Sequence, residues 1–265
     1  MTRSSASYEL VRAYAANSGA HSRVVRASLA ARKLGREIGE LSASPIPVLI
    51  VGETGTGKTL VAQELRATPD LASQETPPAG TDTRALTLNC ASLSEAQLAQ
   101  FVLEDLSDTS IGSTLFLDEV GELSPWAQAV LLRGLSDRDP SQGPRLLAAT
   151  SRDLEAMVRG GGFSAELLMR LRGVTLRLAP LRERVEEIGP LALHFVRLEL
   201  MATRSQVVSM DPRVVSVLEH HSWPGNVREL RNTIRTALAL CNDGYLSVGG
   251  LPEELRRAYA AAVRE

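Results

Sequence analysis

Short apolar runs and longer amphipathic stretches alternate along the first two thirds of the chain. Apolar runs bounded by turn residues predict buried strands at 46–51 (IPVLIV), 85–89 (ALTLN), 113–118 (STLFLD), 144–150 (PRLLAAT) and 173–178 (GVTLRL). Apolar residues at helical spacing predict helices over 21–41 (HSRVVRASLAARKLGREIGEL), near 58–66, 92–106, 124–135 and 152–160. Apolar strands alternating with helices imply a parallel sheet covered on both faces, an α/β arrangement. From about Pro180 the strand pattern stops. ERVEEIGPLALHFVRLELMA, DPRVVSVLEHH, GNVRELRNTIRTALALC and LPEELRRAYAAAVRE carry helical periodicity only. Asn226, with Glu229 three residues on and the Pro224-Gly225 turn before it, reads as a helix N-cap with a capping-box partner. The expected organisation is a linker or frayed helix over 1–20, an α/β core over 21–180 and a smaller helical domain over 181–265. Residues 70–84 (DLASQETPPAGTDTR) read as a polar loop.

Composition narrows the class without naming a function. The chain has 265 residues, 44% hydrophobic and 23% charged, ordinary values for a globular protein. A net charge of −2 gives no general basic field for nucleic acid. No apolar run is long enough to span a bilayer, and the N-terminus lacks the apolar core of a secretory signal. Cys90 and Cys241 are too few for a disulfide framework, so the expected compartment is a reducing cytoplasm. Lys33 and Lys58 are the only lysines among the 29 basic residues, which makes Lys58 conspicuous.

Lys58 lies in GETGTGKT, residues 52–59, which fits G-x-x-x-x-G-K-[ST] with a strand before it and a helix after it. Gly52, Glu53, Thr54, Gly55, Thr56, Gly57, Lys58 and Thr59, with Leu60 next in line, form the candidate nucleotide-binding set. Glycines let successive N–H groups turn inward around an anion, and the following helix adds its dipole. Lys58 is placed for β- and γ-phosphates, and the Thr59 hydroxyl for Mg²⁺. The competing reading is a Gly-rich strand–helix turn without a ligand. In LFLDEVGEL (115–123) a predicted strand ends at Asp118, where open α/β sheets place ligands. Asp118 is the candidate for holding Mg²⁺ through water, and Glu119 for polarising the attacking water. The competing reading there is a solvated helix start. Cys90, just past a strand, reads as a small buried hydrophobe. His220 and His221 point apart on a helix and have no evident metal partners.

GETGTGKT, LNCASL (88–93), TLFLDEVGELS (114–124), RLLAATSRDL (145–154), LAPLRERVEEI (178–188) and WPGNVREL (223–230) occur in the order and approximate spacing of AAA+ ATPases of bacterial enhancer-binding proteins, the sigma-54-dependent transcription activators. The chain resembles that family over roughly residues 20–258. The resemblance implies a P-loop NTPase core with a helical lid, ATP and Mg²⁺ as cofactors, and a ring-type homo-oligomer, expected to be a hexamer. It implies that Asn89 is the polar switch residue bonded to Glu119, although a strand-end Asn capping the next helix fits equally well. It places Thr150 and Ser151 at a sensor strand that reads the γ-phosphate; the family usually has Asn where Ser151 stands. It makes Arg228 a second sensor, with a solvated helix arginine as the alternative. It makes Arg170 the second of two arginines that reach a neighbouring subunit's site. The first of that pair falls on Ser164, so the implied Mg²⁺-dependent ATPase lacks one finger. Trp223 reads as core packing.

The resembled activators carry a Gly-Ala-Phe-Thr-Gly-Ala loop in a long insertion ahead of the Asp-Glu strand. Here 94–119 passes from helix through SDTSIGS straight to the strand. The expectation is nucleotide binding without the usual remodelling of sigma-54. The chain ends soon after the lid with no helix-turn-helix and no receiver-like segment, so it reads as an excised central domain or as a product that works without them. DNA contact is expected only through a domain outside this chain, and no membrane contact is expected. Three functions stay open: a transcription regulator acting on RNA polymerase or another protein, a nucleotide-gated scaffold with weak turnover, and a motor for a non-transcriptional partner.

Overall fold

The structure, a computed structural model, describes residues 28–67, 85–104, 106, 113–136, 143–203, 209–241 and 245–262. The expected linker, the first third of the helix expected over 21–41, the 70–84 loop and most of the SDTSIGS turn lie outside the described residues.

Five strands form one parallel sheet: β1 (Val48–Val51), β2 (Ala85–Asn89), β3 (Thr114–Asp118), β4 (Arg145–Thr150) and β5 (Val174–Arg177), in the order β2-β3-β4-β1-β5. All five were expected, each within two residues of its predicted bounds. The central strands are buried on both faces, as apolar runs without alternation require. Helices α1 (Leu29–Ser42), α2 (Lys58–Ala67), α3 (Glu95–Leu103), α4 (Pro125–Ser136) and α5 (Leu154–Arg159) follow the predicted periodicity. Periodicity missed α6 (Ala165–Leu171), which is short and is started by the Ser164 hydroxyl accepting from Leu167 N–H. Leu98, Leu115, Leu117, Leu131, Leu167 and Leu171 are almost fully buried in the main core. Each such side chain contributes roughly 1.5–3 kcal/mol by leaving water.

The second part holds α7 (Ile188–Thr203), α8 (Pro212–Glu219), α9 (Asn226–Ala239) and α10 (Glu253–Ala262) around buried Trp223, Leu181, Ile188, Val217 and Ile234. Two-residue strands β6 (Ser209–Met210) and β7 (Tyr245–Leu246) pair within it, too short to leave a period-two signal. The Asn226 reading is corrected. Helix α9 begins at Asn226 itself, behind Gly225, and has no side-chain cap. Asn226 is fully buried at φ 53°, and its carboxamide accepts from Leu181 N–H (2.7 Å) and donates to Thr54 O (3.1 Å). Glu229 does reach back, but to Gly225 N–H at 2.7 Å.

Contacts divide the chain into two compact units, Arg36–Glu53 with Lys58–Leu178, and Ala179–Glu265 with Thr54–Gly57 and the residues up to Gly35. The start of α1 groups with the helical unit. There Ser28 Oγ donates to the buried Glu187 carboxylate. No described helix is long and apolar enough to cross a membrane.

Candidate functional site

The carboxyl edge of the sheet collects the candidate residues, because parallel pairing aligns strand ends. Val51 sits opposite Thr150, and Asn89 opposite Asp118. The chain leaves β1 through Gly52, whose N–H donates to Thr150 O at 3.2 Å. It then turns through Gly55 at φ 82° and Gly57 at φ 107°, conformations that a Cβ would strain. Helix α2 starts at Lys58, so its first N–H groups have no intrahelical acceptor and face the loop.

Lys58 is 5% exposed and its ammonium is fully engaged. Nζ donates to Gly52 O (2.9 Å) and Glu53 O (3.3 Å) and pairs with Glu119 Oε1 at 3.0 Å. Thr59 Oγ1 donates to Asp118 Oδ2 at 3.2 Å. Strand β4 separates β1 from β3 in the sheet, yet these two contacts tie the start of α2 to the end of β3. Glu119 follows β3 in the left-handed region, φ 52° and ψ 50°. That conformation costs a non-glycine residue about 1–2 kcal/mol. Its Oε2 accepts from Ser151 N–H and Ser151 Oγ, both at 2.9 Å. Burial pushes the Glu119 carboxyl up, but the Lys58 ammonium and the two Ser151 donors outweigh it and hold the group below the usual carboxylate range.

Thr150 is buried, and its hydroxyl accepts from Arg152 N–H at 3.0 Å, so it shapes the strand end. Asn89 Oδ1 accepts from Ala91 N–H at 3.1 Å; among the described residues the partners of Glu119 are Lys58 and Ser151, not Asn89. Sequence reasoning missed that exchange, and its available signal was the serine at position 151. Arg170 donates to Leu135 O at the end of α4, within its own chain. Arg172 pairs instead with Glu155 at 2.6 Å.

In the helical unit, Arg228 and its neighbour Val227 donate their N–H groups to Gly55 O, at 3.3 and 3.0 Å. The Arg228 side chain lines a cavity of about 400 Å³ with Thr54, Gly225, Glu229, Asn232 and Thr236. Arg184, in the quoted LAPLRERVEEI stretch, donates to Thr56 O at 3.0 Å and pairs with Glu187. Sequence reasoning gave Arg184 no role.

The donor set fits a nucleotide with Mg²⁺. A hydroxyl and a carboxylate 3.2 Å apart are hard oxygen donors of the kind that Mg²⁺ takes in ones and twos alongside phosphate and water. A shielded ammonium beside a positive-φ glycine loop and a helix N-terminus suits polyphosphate.

Comparison with known proteins shows what the whole chain is similar to. Residues 25–181 match the Sigma-54 interaction domain, and residues 182–265 match the AAA+ ATPase lid domain. The transcriptional regulatory protein ZraR of Salmonella typhimurium is 36% identical over 252 residues, covering 86% of this chain and 55% of that protein. The regulatory protein AtoC of Escherichia coli is 33% identical over 245 residues, covering 84% and 51%. The chain thus spans about half the length of the curated relatives it matches. Among solved structures, NtrX from Brucella abortus in complex with ATP superposes with a TM-score of 0.74 at 26% identity, covering 86% of this chain and 54% of that one.

Proposed function

Because the chain belongs to the Sigma-54 interaction domain family and ends in an AAA+ ATPase lid domain, we propose that it is the ATP-binding and ATP-hydrolysing domain of a transcriptional regulator. The observation that carries the reading is the cluster of Lys58, Thr59, Asp118 and Glu119 at the carboxyl edge of the sheet, joined by contacts of 3.0 and 3.2 Å. Lys58 and the loop N–H groups bind phosphates, Thr59 and Asp118 hold Mg²⁺, and Glu119 orients and polarises a water. Bound Mg²⁺ supplies Lewis-acid neutralisation of phosphate charge. Arg228 serves as a second nucleotide sensor, and Arg170 serves a neighbouring subunit's site in a ring-type homo-oligomer.

Lys58→Ala tests the reading directly. Calorimetric titration with ATP and Mg²⁺ should show binding by the native chain and a loss of at least about 100-fold in the variant, since a buried charge-assisted phosphate contact disappears. Circular dichroism should show the fold retained. Unchanged affinity would overturn the assignment.

The output is proposed to differ from that of the usual activator. Only residues 104–113 separate α3 from β3, and they hold no Gly-Ala-Phe-Thr-Gly-Ala sequence. Contact with RNA polymerase therefore runs through another surface, or the partner is a different protein. A second reading, a nucleotide-gated scaffold with weak turnover, is favoured by Ser164, which caps α6 where the resembled activators place an arginine. Turnover measured against protein concentration separates the two: the ATPase reading requires a rate that rises with assembly, and the scaffold reading requires assembly with negligible turnover.

A further inference from the structure

An ammonium has three protons to donate, and the protein takes all three from Lys58. Gly52 O and Glu53 O belong to the loop that positions the lysine, and Glu119 Oε1 belongs to a side chain. A phosphate oxygen that is to receive a Lys58 proton must displace one of these acceptors. The Glu119 contact is the one that yields without moving loop backbone. Its loss does not release the carboxylate, because Oε2 is held independently by Ser151 N–H and Ser151 Oγ at 2.9 Å each. Asn89 takes no part in this: its Oδ1 accepts from Ala91 N–H, and no bond joins it to Glu119 among the described residues.

We propose that Glu119 and phosphate compete for Lys58, and that Ser151 is the positioning residue that keeps the Glu119 carboxylate in place when the Lys58 contact breaks. Phosphate arrival then frees Oε1 as an acceptor while Oε2 stays fixed. Without phosphate Oε1 is paired with the Lys58 ammonium, so the group that would polarise water is partly neutralised. This coupling rests on the reading that the loop binds ATP.

Metal-free ADP is the probe, because it reaches Lys58 without turnover. Glu119→Gln should bind ADP about tenfold more tightly than the native chain, the worth of one charge-assisted contact no longer in competition. Glu122→Gln, which removes a charge three residues from Glu119 that pairs with Arg152 and not Lys58, should change ADP affinity by no more than about threefold, as expected of a screened, indirect effect. Lys58 and Lys33 are the only lysines, so in a Lys33→Arg chain labelled with ¹³C at lysine Cε a single signal reports Lys58. Glu119→Gln should shift that signal in the nucleotide-free protein. Ser151→Ala should leave ADP affinity within about twofold and lower kcat about tenfold with little change in KM, and Ser151→Thr should restore kcat.

Absence of ADP binding by the native chain would overturn the ATP reading and this inference together. ADP binding of equal strength in the native chain and Glu119→Gln, or an unmoved Lys58 signal, would overturn the competition alone. Native kcat in Ser151→Ala would overturn the positioning role of Ser151.

Discussion

Cys90 lies one residue past β2, with its own N–H bonded to Asp118 O at 2.9 Å. Burial pushes its thiol up to about 12, with the negative charges of Asp118 and Glu119 adding to the shift. The thiolate is the reactive form, so almost none of it exists at pH 8. Iodoacetamide applied to the folded chain at that pH should modify Cys241, which is partly exposed, and leave Cys90 intact. Peptide mapping by mass spectrometry reads the outcome, and comparable modification of both would contradict the closed environment around Cys90. At this scale the sequence was a good guide wherever a side chain's role follows from its own chemistry. A small thiol after an apolar strand is buried, and a lysine after a glycine loop points back at it. Ser151 was harder to read, because a hydroxyl takes whichever acceptor the neighbouring strand presents.

At the element scale, the proposed loss of sigma-54 contact rests on the connection between α3 and β3. Leu103 ends one and Thr114 begins the other. The ten residues between them hold no Gly-Ala-Phe-Thr-Gly-Ala sequence. ADP with aluminium fluoride, which traps activators of the resembled kind on their sigma factor, should therefore yield no stable complex of this chain with sigma-54 on native gels. A trapped complex would show that another surface has taken over the contact. Helix α6 makes a related point. Ser164 occupies the position of an expected arginine, but its hydroxyl accepts from Leu167 N–H and its own N–H donates to Gln128 Oε1 at 2.8 Å. Periodicity did not reveal this helix, since seven residues span barely two turns.

At the scale of the whole molecule, the proposed ring makes catalysis depend on neighbours. Arg170 donates to Leu135 O of its own chain, and reaching another subunit's phosphate requires it to leave that carbonyl. Arg170→Ala and Glu119→Gln chains should each be inactive alone. Mixed in equal amounts, random assembly leaves about a quarter of the interfaces with both an intact Arg170 and an intact Glu119, so turnover should recover to a comparable fraction of native. Specific activity that is flat on dilution, with no rescue on mixing, would place catalysis within one chain.

The sequence by itself determined the five strands of the main sheet, the helices α1 to α5 that alternate with them, the phosphate-type loop and the acidic pair at the end of β3. These follow from periodicity, glycine and charge read within a few residues of each other. Only the tertiary structure decided that Glu119 bonds Lys58 and Ser151 rather than Asn89, and that Asn226 spends its carboxamide on Leu181 and Thr54 instead of capping its own helix. Those choices depend on which strand ends and loop carbonyls arrive within about 3 Å of a polar atom. Strand order and register set that distance, and residues far apart in the chain share it.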